Sequence, residues 1–259
     1  MINKIHPIPA FTDNYIWACH DSESDQIAVV DPGDADPVLD YCSDNNLQLS
    51  HILITHHHAD HTGGLLRLLQ EFDPFVVGPE PSGIKGIKQF LHEQDSIELF
   101  GQQFDILEVP GHTLDHIAYF SDDSETPVLF CGDTLFAAGC GRLFEGTPEM
   151  MANSLNKLTS LPGETRVYCT HEYTLANLAF ALAADSENKA LLDRVEREKT
   201  KRDSGLPTLP SSIKLELATN PFLRCEQDSV KQNVSSHCGK PMREPVETFA
   251  ALRSWKDNF

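Results

Sequence analysis

Apolar residues recur along the first two thirds of the chain in short runs of strand length. Some runs alternate with polar residues and others are wholly apolar, which predicts half-buried and fully buried strands respectively. The predicted strands are YIWAC (15–19), QIAVV (26–30), HILIT (51–55), FVVG (75–78), FDILEV (104–109), IAYF (117–120), PVLFC (127–131) and RVYCT (166–170).

Helical periodicity separates some of these runs. Two segments place their apolar residues on a single stripe, as an amphipathic helix does. The stripes consist of Leu65, Leu68, Leu69 and Phe72, and of Met151, Leu155 and Leu158. Strands mixed with helices on this scale predict a layered α/β domain.

The strand pattern stops near Tyr173. TLANLAFALAAD (174–185) and NKALLDRVEREKTKRD (188–203) predict helices, and Pro245 marks the start of a last one. The intervening CEQDSVKQNVSSHCGKP is polar and typical of turns. We therefore predict an α/β domain over residues 1–171 and a smaller, mainly helical domain over residues 172–259.

Charge and composition restrict the possible partners. Acidic residues outnumber basic ones by 39 to 20, which gives a formal net charge of −19. Such a surface repels phosphate backbones and anionic lipid, so nucleic acid and membranes are poor partners. The apolar runs are also far shorter than the roughly 20 residues that a bilayer span needs. We expect a monomer.

The cysteines and the N-terminus indicate a compartment. The seven cysteines are an odd number without CxxC spacing, which suits reduced thiols better than a disulfide framework. The opening MINKIHPIPAFTDNY has no basic flank followed by an apolar run, so it does not resemble a secretion signal. These features predict a cytoplasmic protein.

One six-residue segment is dense in potential metal ligands. HHHADH (56–61) contains four histidines and one aspartate, and such clusters bind metal more often than they form a solvated loop. Three further candidates also follow predicted strands, at the edge where open sheets collect their ligands. Taken singly, each of these three is better explained as a turn or helix-start residue, whereas together they favour one shared site. They are His112, Asp133 and His171.

The number of candidates favours two ions. If the ring of His57 points away from its neighbours, five histidines and two aspartates remain, which is too many for one four-coordinate zinc. His56, His58 and His112 can bind one ion, with Asp133 as the bridge. Asp60, His61 and His171 can bind the second ion.

The motifs themselves resemble known ones. THHHADH (55–61) fits the THxHxDH signature of the metallo-β-lactamase superfamily, whose fold is a four-layer αββα sandwich. The whole chain resembles the glyoxalase II family, the hydroxyacylglutathione hydrolases. The segments that carry this resemblance are PAFTDNYIW, GHTLDH, GDTLFAAGCGRLFEG, THEYTLANLAF, TNPFLR and ALRSWKD.

The resemblance implies a function and a set of contacts. It implies hydrolysis of S-(2-hydroxyacyl)glutathione thioesters such as S-D-lactoylglutathione to glutathione and D-lactate, the second step of methylglyoxal detoxification. It also implies the same seven metal ligands, with Asp60 as a catalytic residue. The implied substrate contacts are Arg142, Tyr173, Asn177, Arg253 and Lys256, with Phe144 where many relatives have tyrosine and Asp115 where glycine is common.

The expected chemistry is metal-assisted hydrolysis. Two divalent ions per chain, zinc or else iron or manganese, lower the pKa of a bridging water toward about 7 and polarise the thioester carbonyl. The released thiolate needs no dedicated general acid, because its parent thiol has a pKa near about 8.5. The alternative is a persulfide dioxygenase with one iron on the same fold, which the complete set of seven ligands disfavours.

Overall fold

The computed structural model describes residues 1–80, 83–123 and 125–259 and divides the chain into two compact units. The first unit comprises Met1–Glu108 and Asp115–Gly132, and the second comprises Val109–Leu114 and Asp133–Phe259. This division does not coincide with the predicted boundary between residues 171 and 172. The two predicted domains therefore stay a prediction.

The first unit begins with a six-stranded sheet in sequential order. The first three strands are antiparallel and the remaining three continue in parallel. The strands are β1 (Ile2–Ala10), β2 (Asn14–Asp21), β3 (Gln26–Val30), β4 (Gln48–Leu53), β5 (Phe75–Pro79) and β6 (Gln89–Leu91). The connecting helices are α1 (Asp36–Asn45), α2 (Ala59–Thr62) and α3 (Leu65–Phe72).

The predicted stripe on α3 is confirmed. Leu65 and Leu68 are buried, and Leu69 and Phe72 pack against the same core cluster. By contrast β1 was not among the predicted strands. It contains Pro7 and Pro9 and lies at the edge of its sheet, where a proline interrupts no ladder on the open side.

Four antiparallel strands complete the first unit. They are β7 (Ser96–Leu99), β8 (Gln102–Glu108), β9 (Ile117–Ser121) and β10 (Val128–Gly132). Every residue of β9 and β10 is buried, as the apolar runs at 117–120 and 127–131 predict. The Tyr119 hydroxyl donates to the backbone oxygen of Ile54 at 2.7 Å, which ties β9 to the segment that follows β4.

The second unit is mainly helical. Its strands are β11 (Leu135–Phe136), β12 (Gly139–Cys140), β13 (Arg166–Cys169) and β14 (Ser211–Ser212), paired as two short antiparallel ladders. Its helices are α4 (Pro148–Thr159), α5 (Thr174–Ala184), α6 (Lys189–Asp203), α7 (Ile213–Thr219), α8 (Asp228–Cys238) and α9 (Pro245–Asp257), with a 3-10 turn at Pro221–Leu223. The helices predicted at 174–185, at 188–203 and from Pro245 are confirmed.

Helix α8 lies where turns were predicted, so that prediction was wrong. Val230 and Val234 are buried on one face, and Gly239 ends the helix in the left-handed conformation. Two valines and an exposed cysteine among eleven residues give too weak a periodicity to predict a helix, so packing rather than pattern determines this element.

A buried ion pair organises the second unit around the β11–β12 hairpin. Arg194 and Glu216 are fully buried and meet at 2.6 Å. The second carboxylate oxygen of Glu216 accepts the backbone N–H of Ala138 at 2.8 Å. Asn220 donates to the carbonyl oxygen of Gly139 at the same distance. The hairpin turn is therefore fixed by buried side chains.

The described residues contain no helix that is both long and apolar enough to cross a membrane. All seven cysteines are free, and Cys238 is exposed whereas the other six are buried. Burial raises the pKa of the Cys140 thiol to about 11, so this sulfur stays protonated at neutral pH.

Candidate metal centre

The first group of predicted ligands follows β4 and enters α2. His56 and His61 are fully buried, whereas His58 and Asp60 are partly exposed. The ligand atoms of His56 lie within 4.8 Å of those of His58 and of His61. His61 Nε2 is 3.6 Å from Asp60 Oδ2. The first unit therefore brings these four ligand-type side chains together, as their spacing predicts.

Asp31 fixes the orientation of this group. Its Oδ2 accepts from His61 Nδ1 at 2.9 Å and from the Thr55 hydroxyl at 2.8 Å, and its Oδ1 accepts from Thr55 N. A carboxylate behind a histidine sets the tautomer and directs Nε2 toward a metal. Asp31 was not among the predicted site residues, although it directly follows the buried strand β3 just as the predicted ligands follow their strands.

Asp60 is positioned by the start of β2 and by a glycine. The Asn14 amide lies 3.4 Å from both the backbone oxygen and Oδ2 of Asp60, and Asn14 is itself buried. A Cβ on Gly33 would lie 1.8 Å from the Asp60 carbonyl oxygen, so only glycine allows this approach. The side chain of Asp60 keeps 43% of its surface exposed and remains available to a ligand.

The second group of predicted ligands lies in the second unit. Asp133 Oδ2 is 3.4 Å from His112 Nε2 and 3.3 Å from His171 Nε2, and all three side chains are at least 92% buried. His112 Nδ1 donates to the backbone oxygen of Arg142 at 2.8 Å. A Cβ on Gly141 would lie 1.9 Å from the Asp133 carbonyl oxygen. One carboxylate oxygen therefore meets two histidines.

The donor set fits divalent metal ions in both groups. The Nδ1 atoms of His61 and His112 are engaged by Asp31 and by a backbone carbonyl, which leaves Nε2 of each ring as the ligand atom. Imidazole nitrogen with carboxylate oxygen suits zinc, iron and manganese rather than calcium or magnesium. Burial also keeps competing water from most of these atoms.

His57 takes a direction of its own, in line with its exclusion from the ligand count. Its Nδ1 is 2.9 Å from Asp115 Oδ1. Another histidine that the sequence analysis did not select, His116, is buried and stacks on His56 with centroids 4.6 Å apart. The ring that packs on the predicted ligand His56 therefore belongs to a histidine that is not itself a predicted ligand.

Two predicted substrate contacts lie against ligands of the second group. The Tyr173 ring stacks on His171, with centroids 4.6 Å apart and planes 2° from parallel. Phe144 meets His112 edge-on at 5.3 Å and is 64% exposed. Both aromatic side chains therefore combine contact with a ligand and access to solvent.

Asn177, a third predicted substrate contact, is buried instead. Its amide donates to the backbone oxygen of Ala137 at 3.1 Å, and a Cβ on Gly139 would lie 2.6 Å from this amide. The side chain thus supports the β11–β12 hairpin from α5.

The remaining predicted substrate contacts gather around Asp257. Arg253 is buried and donates to Cys140 O and to Asp257 Oδ1, both at 2.9 Å. Arg142 Nε lies 3.6 Å from the same Asp257 oxygen and its side chain is 62% exposed. Burial, followed by the neighbouring charges of Arg253 and Arg142, lowers the pKa of Lys256. This cationic cluster (Arg142, Arg253 and Lys256) contrasts with the acidic protein around it.

Comparison with known proteins gives two family matches that together span most of the chain. The metallo-β-lactamase superfamily matches residues 21–171. The hydroxyacylglutathione hydrolase C-terminus matches residues 172–259. A hydroxyacylglutathione hydrolase of Pseudomonas aeruginosa is 52% identical over 257 residues, which covers 99% of both chains. That of Photobacterium profundum is 52% identical and covers 98% of this chain and 99% of its own.

Solved structures agree in fold. ETHE1 from Myxococcus xanthus superposes with a TM-score of 0.66 at 23% identity and covers 99% of this chain and 98% of its own. The BLEG-1 B3 metallo-β-lactamase gives 0.63 at 22% identity, with 85% and 99% covered. At these identities the likeness concerns the fold alone, which is the metallo-β-lactamase fold with a helical C-terminal segment. The full-length relatives and the two family matches show that this chain belongs to the hydroxyacylglutathione hydrolases of the metallo-β-lactamase superfamily.

Proposed function

We propose that this chain hydrolyses the thioester bond of S-(2-hydroxyacyl)glutathiones such as S-D-lactoylglutathione and releases glutathione and D-lactate. This reaction is the second step of methylglyoxal detoxification. The proposal is carried by the metal-binding donor set in a chain that is 52% identical to hydroxyacylglutathione hydrolases over nearly its full length. The chain acts as a cytoplasmic monomer.

The seven ligand-type residues form one binuclear centre in this proposal. His56, His58 and His112 bind one ion and Asp60, His61 and His171 bind the other, with Asp133 between them. The position of Asp133 Oδ2 near two imidazole nitrogens supports its role as the bridge. Zinc is the expected metal, with iron or manganese as alternatives. Two such ions supply Lewis-acid activation of water and of the thioester carbonyl.

Asp60 acts on the attacking water as well as on the metal. Its partly exposed carboxylate accepts a hydrogen bond from that water, and the Asn14 amide limits the rotation of the carboxylate. Fixing the acceptor before the reaction lowers the barrier, because no side chain has to reorganise. The glutathione thiolate leaves without a protein acid, since its parent thiol has a pKa near about 8.5.

The cationic cluster binds the glutathione part of the substrate. A protein of net charge −19 repels an anionic thioester at long range, so local cations have to reverse the potential. Arg142 and Lys256 offer charged groups to the substrate carboxylates, and Arg253 holds the last helix beneath them. Tyr173 and Phe144 contact the substrate beside His171 and His112, on which their rings pack, and Asn177 supports the β11–β12 hairpin.

A direct assay tests this function. Metal-free protein is loaded with zinc, the bound metal is counted, and thioester hydrolysis is followed with S-D-lactoylglutathione, a β-lactam and a phosphodiester as parallel substrates. We expect about two zinc ions per chain and hydrolysis of the thioester far faster than of the other two. An enzyme that oxidised glutathione persulfide and left lactoylglutathione intact would exclude the thioesterase assignment.

A further inference from the structure

Asp115 connects the histidine run to a nearly buried carboxylate. Its Oδ1 lies 2.9 Å from Nδ1 of His57, and both residues belong to the first compact unit. The His57 side chain is 33% exposed, whereas that of Asp115 is 8% exposed. His57 is the one histidine of the run that is not a ligand in the proposed centre. This contact therefore links it to a nearly buried carboxylate.

The burial of Asp115 is unfavourable for folding. Its Oδ2 is buried and has no hydrogen-bond partner among the described residues. A carboxylate removed from water is compensated only by the bonds that it makes, and here one oxygen makes none. This carboxylate is therefore a poor choice for stability alone, and its contact with His57 indicates another role.

His57 lies between two predicted ligands. His58 has φ −59° and ψ 147°, which is the polyproline region, and His56 lies in a bend, so residues 56–58 do not form a regular strand. A His57 side chain held by Asp115 restricts the short backbone segment from which the rings of His56 and His58 project. The Thr62 hydroxyl also contacts this segment, because it donates to the backbone oxygens of His57 and His58 at 3.4 and 3.0 Å.

We propose that Asp115 is a positioning residue for metal binding. Through His57 it holds the loop at 56–58 with its two ligand rings in the binding orientation before an ion arrives. This inference rests on the proposed binuclear centre. Less conformational entropy of the loop is then lost when the ion binds, which raises the affinity. The buried carboxylate in turn lowers the stability of the metal-free protein.

The test measures metal binding and folding separately. The zinc dissociation constant of the metal-free protein is determined by competition with a chromophoric chelator, and urea unfolding is followed on the same metal-free samples. We expect Asp115→Ala to weaken zinc binding about tenfold, the lower end of the range for residues that orient ligands. The metal-free variant should be at least as stable as wild type, because a buried carboxylate is removed.

Three controls make the result specific. Asp115→Asn keeps an acceptor for His57 and should retain most of the affinity. Asp44→Ala removes an exposed carboxylate from α1 and should leave zinc binding unchanged. His57→Ala should weaken zinc binding as Asp115→Ala does, and the double variant should be no weaker than either, because both changes break one connection.

Two outcomes overturn the inference. Asp115→Ala with wild-type zinc affinity would show that the contact does not prepare the loop. A loss of affinity that only parallels a loss of metal-free stability would show a general structural role instead. If wild-type protein itself bound no zinc, the proposed centre would fail first. That result is distinguishable because it does not depend on any variant.

Discussion

The two groups of predicted ligands are held in place by different means. In the first unit the hydrogen-bonding partners are side chains, since Asp31 orients His61 and Asn14 contacts Asp60, while Gly33 leaves room for the Asp60 main chain. In the second unit the hydrogen-bonding partner is the backbone, since His112 donates to a carbonyl oxygen, and Gly141 leaves room for the Asp133 main chain. The same kind of ligand is thus positioned by two kinds of partner.

This difference determines how each group responds to substitution. Side-chain support can be removed while every ligand remains, so the first group should lose affinity in graded steps. Backbone support has no side chain to remove, so the second group is weakened mainly through its ligands or its glycines.

The largest effect is expected for Asp133→Ala. This change removes the oxygen that lies within 3.4 Å of two histidine nitrogens, and the proposed centre loses its bridge. We expect a reduced metal content and a more than 100-fold decrease in kcat, beyond the roughly 10–100-fold typical of residues that only orient ligands. Elemental analysis and the thioester assay measure both quantities. Two equivalents of metal with normal turnover would remove Asp133 from the centre.

A smaller effect is expected for Asp31→Ala, which keeps every ligand. His61 loses its orienting acceptor, so zinc affinity should fall about 10–100-fold. The backbone N–H and hydroxyl of Thr55 also lose their acceptor, which should lower the free energy of unfolding by about 1–3 kcal/mol. Chelator competition and urea unfolding test the two effects. A variant with unchanged zinc affinity would show that side-chain support is dispensable in the first group.

The sequence predicted the ligands better than their supports. HHHADH is recognisable because five ligand-type residues crowd into six positions, and His112, Asp133 and His171 each follow an apolar run. Asp31 follows an apolar run too, but a single acid before a proline is equally typical of a turn, so only its hydrogen bonds identify it. Asn14 and Gly33 depend on contacts distant in the sequence, which no local pattern records.

The same limit applies to the fold. Strands and helices with strong periodicity were predicted, whereas the proline-containing β1 and the weakly amphipathic α8 were not. Both owe their conformation to pairing or packing with other parts of the chain. Periodicity reports which face of an element is apolar, and it does not report which neighbour stabilises an element that is mostly polar.

The cationic cluster offers a third prediction, in which two residues three positions apart behave differently. Arg253 is buried and donates to Cys140 O, so Arg253→Ala should lower the free energy of unfolding by about 1.5–3 kcal/mol. Lys256→Ala should instead raise KM about tenfold and leave metal content and stability nearly unchanged, because a charged contact with substrate is lost. Thermal unfolding and Michaelis analysis distinguish the two variants. An unchanged KM in Lys256→Ala would leave that lysine as a cation at the end of a helix.

The smallest effect concerns the pH dependence of Lys256. Burial and two neighbouring arginines lower its pKa, so its charge is lost below the ordinary value of 10.5. KM for the anionic thioester should therefore rise as pH increases through that lowered pKa. The free energy of unfolding should increase over the same pH window, because the unfolded chain there binds more protons than the folded one. Lys256→Arg stays charged throughout and should flatten the change in KM. The rise in KM should also appear with added salt at neutral pH, since partly exposed charges are screened. A pH profile of KM that is the same in Lys256→Arg and in wild type would assign the titration to the substrate.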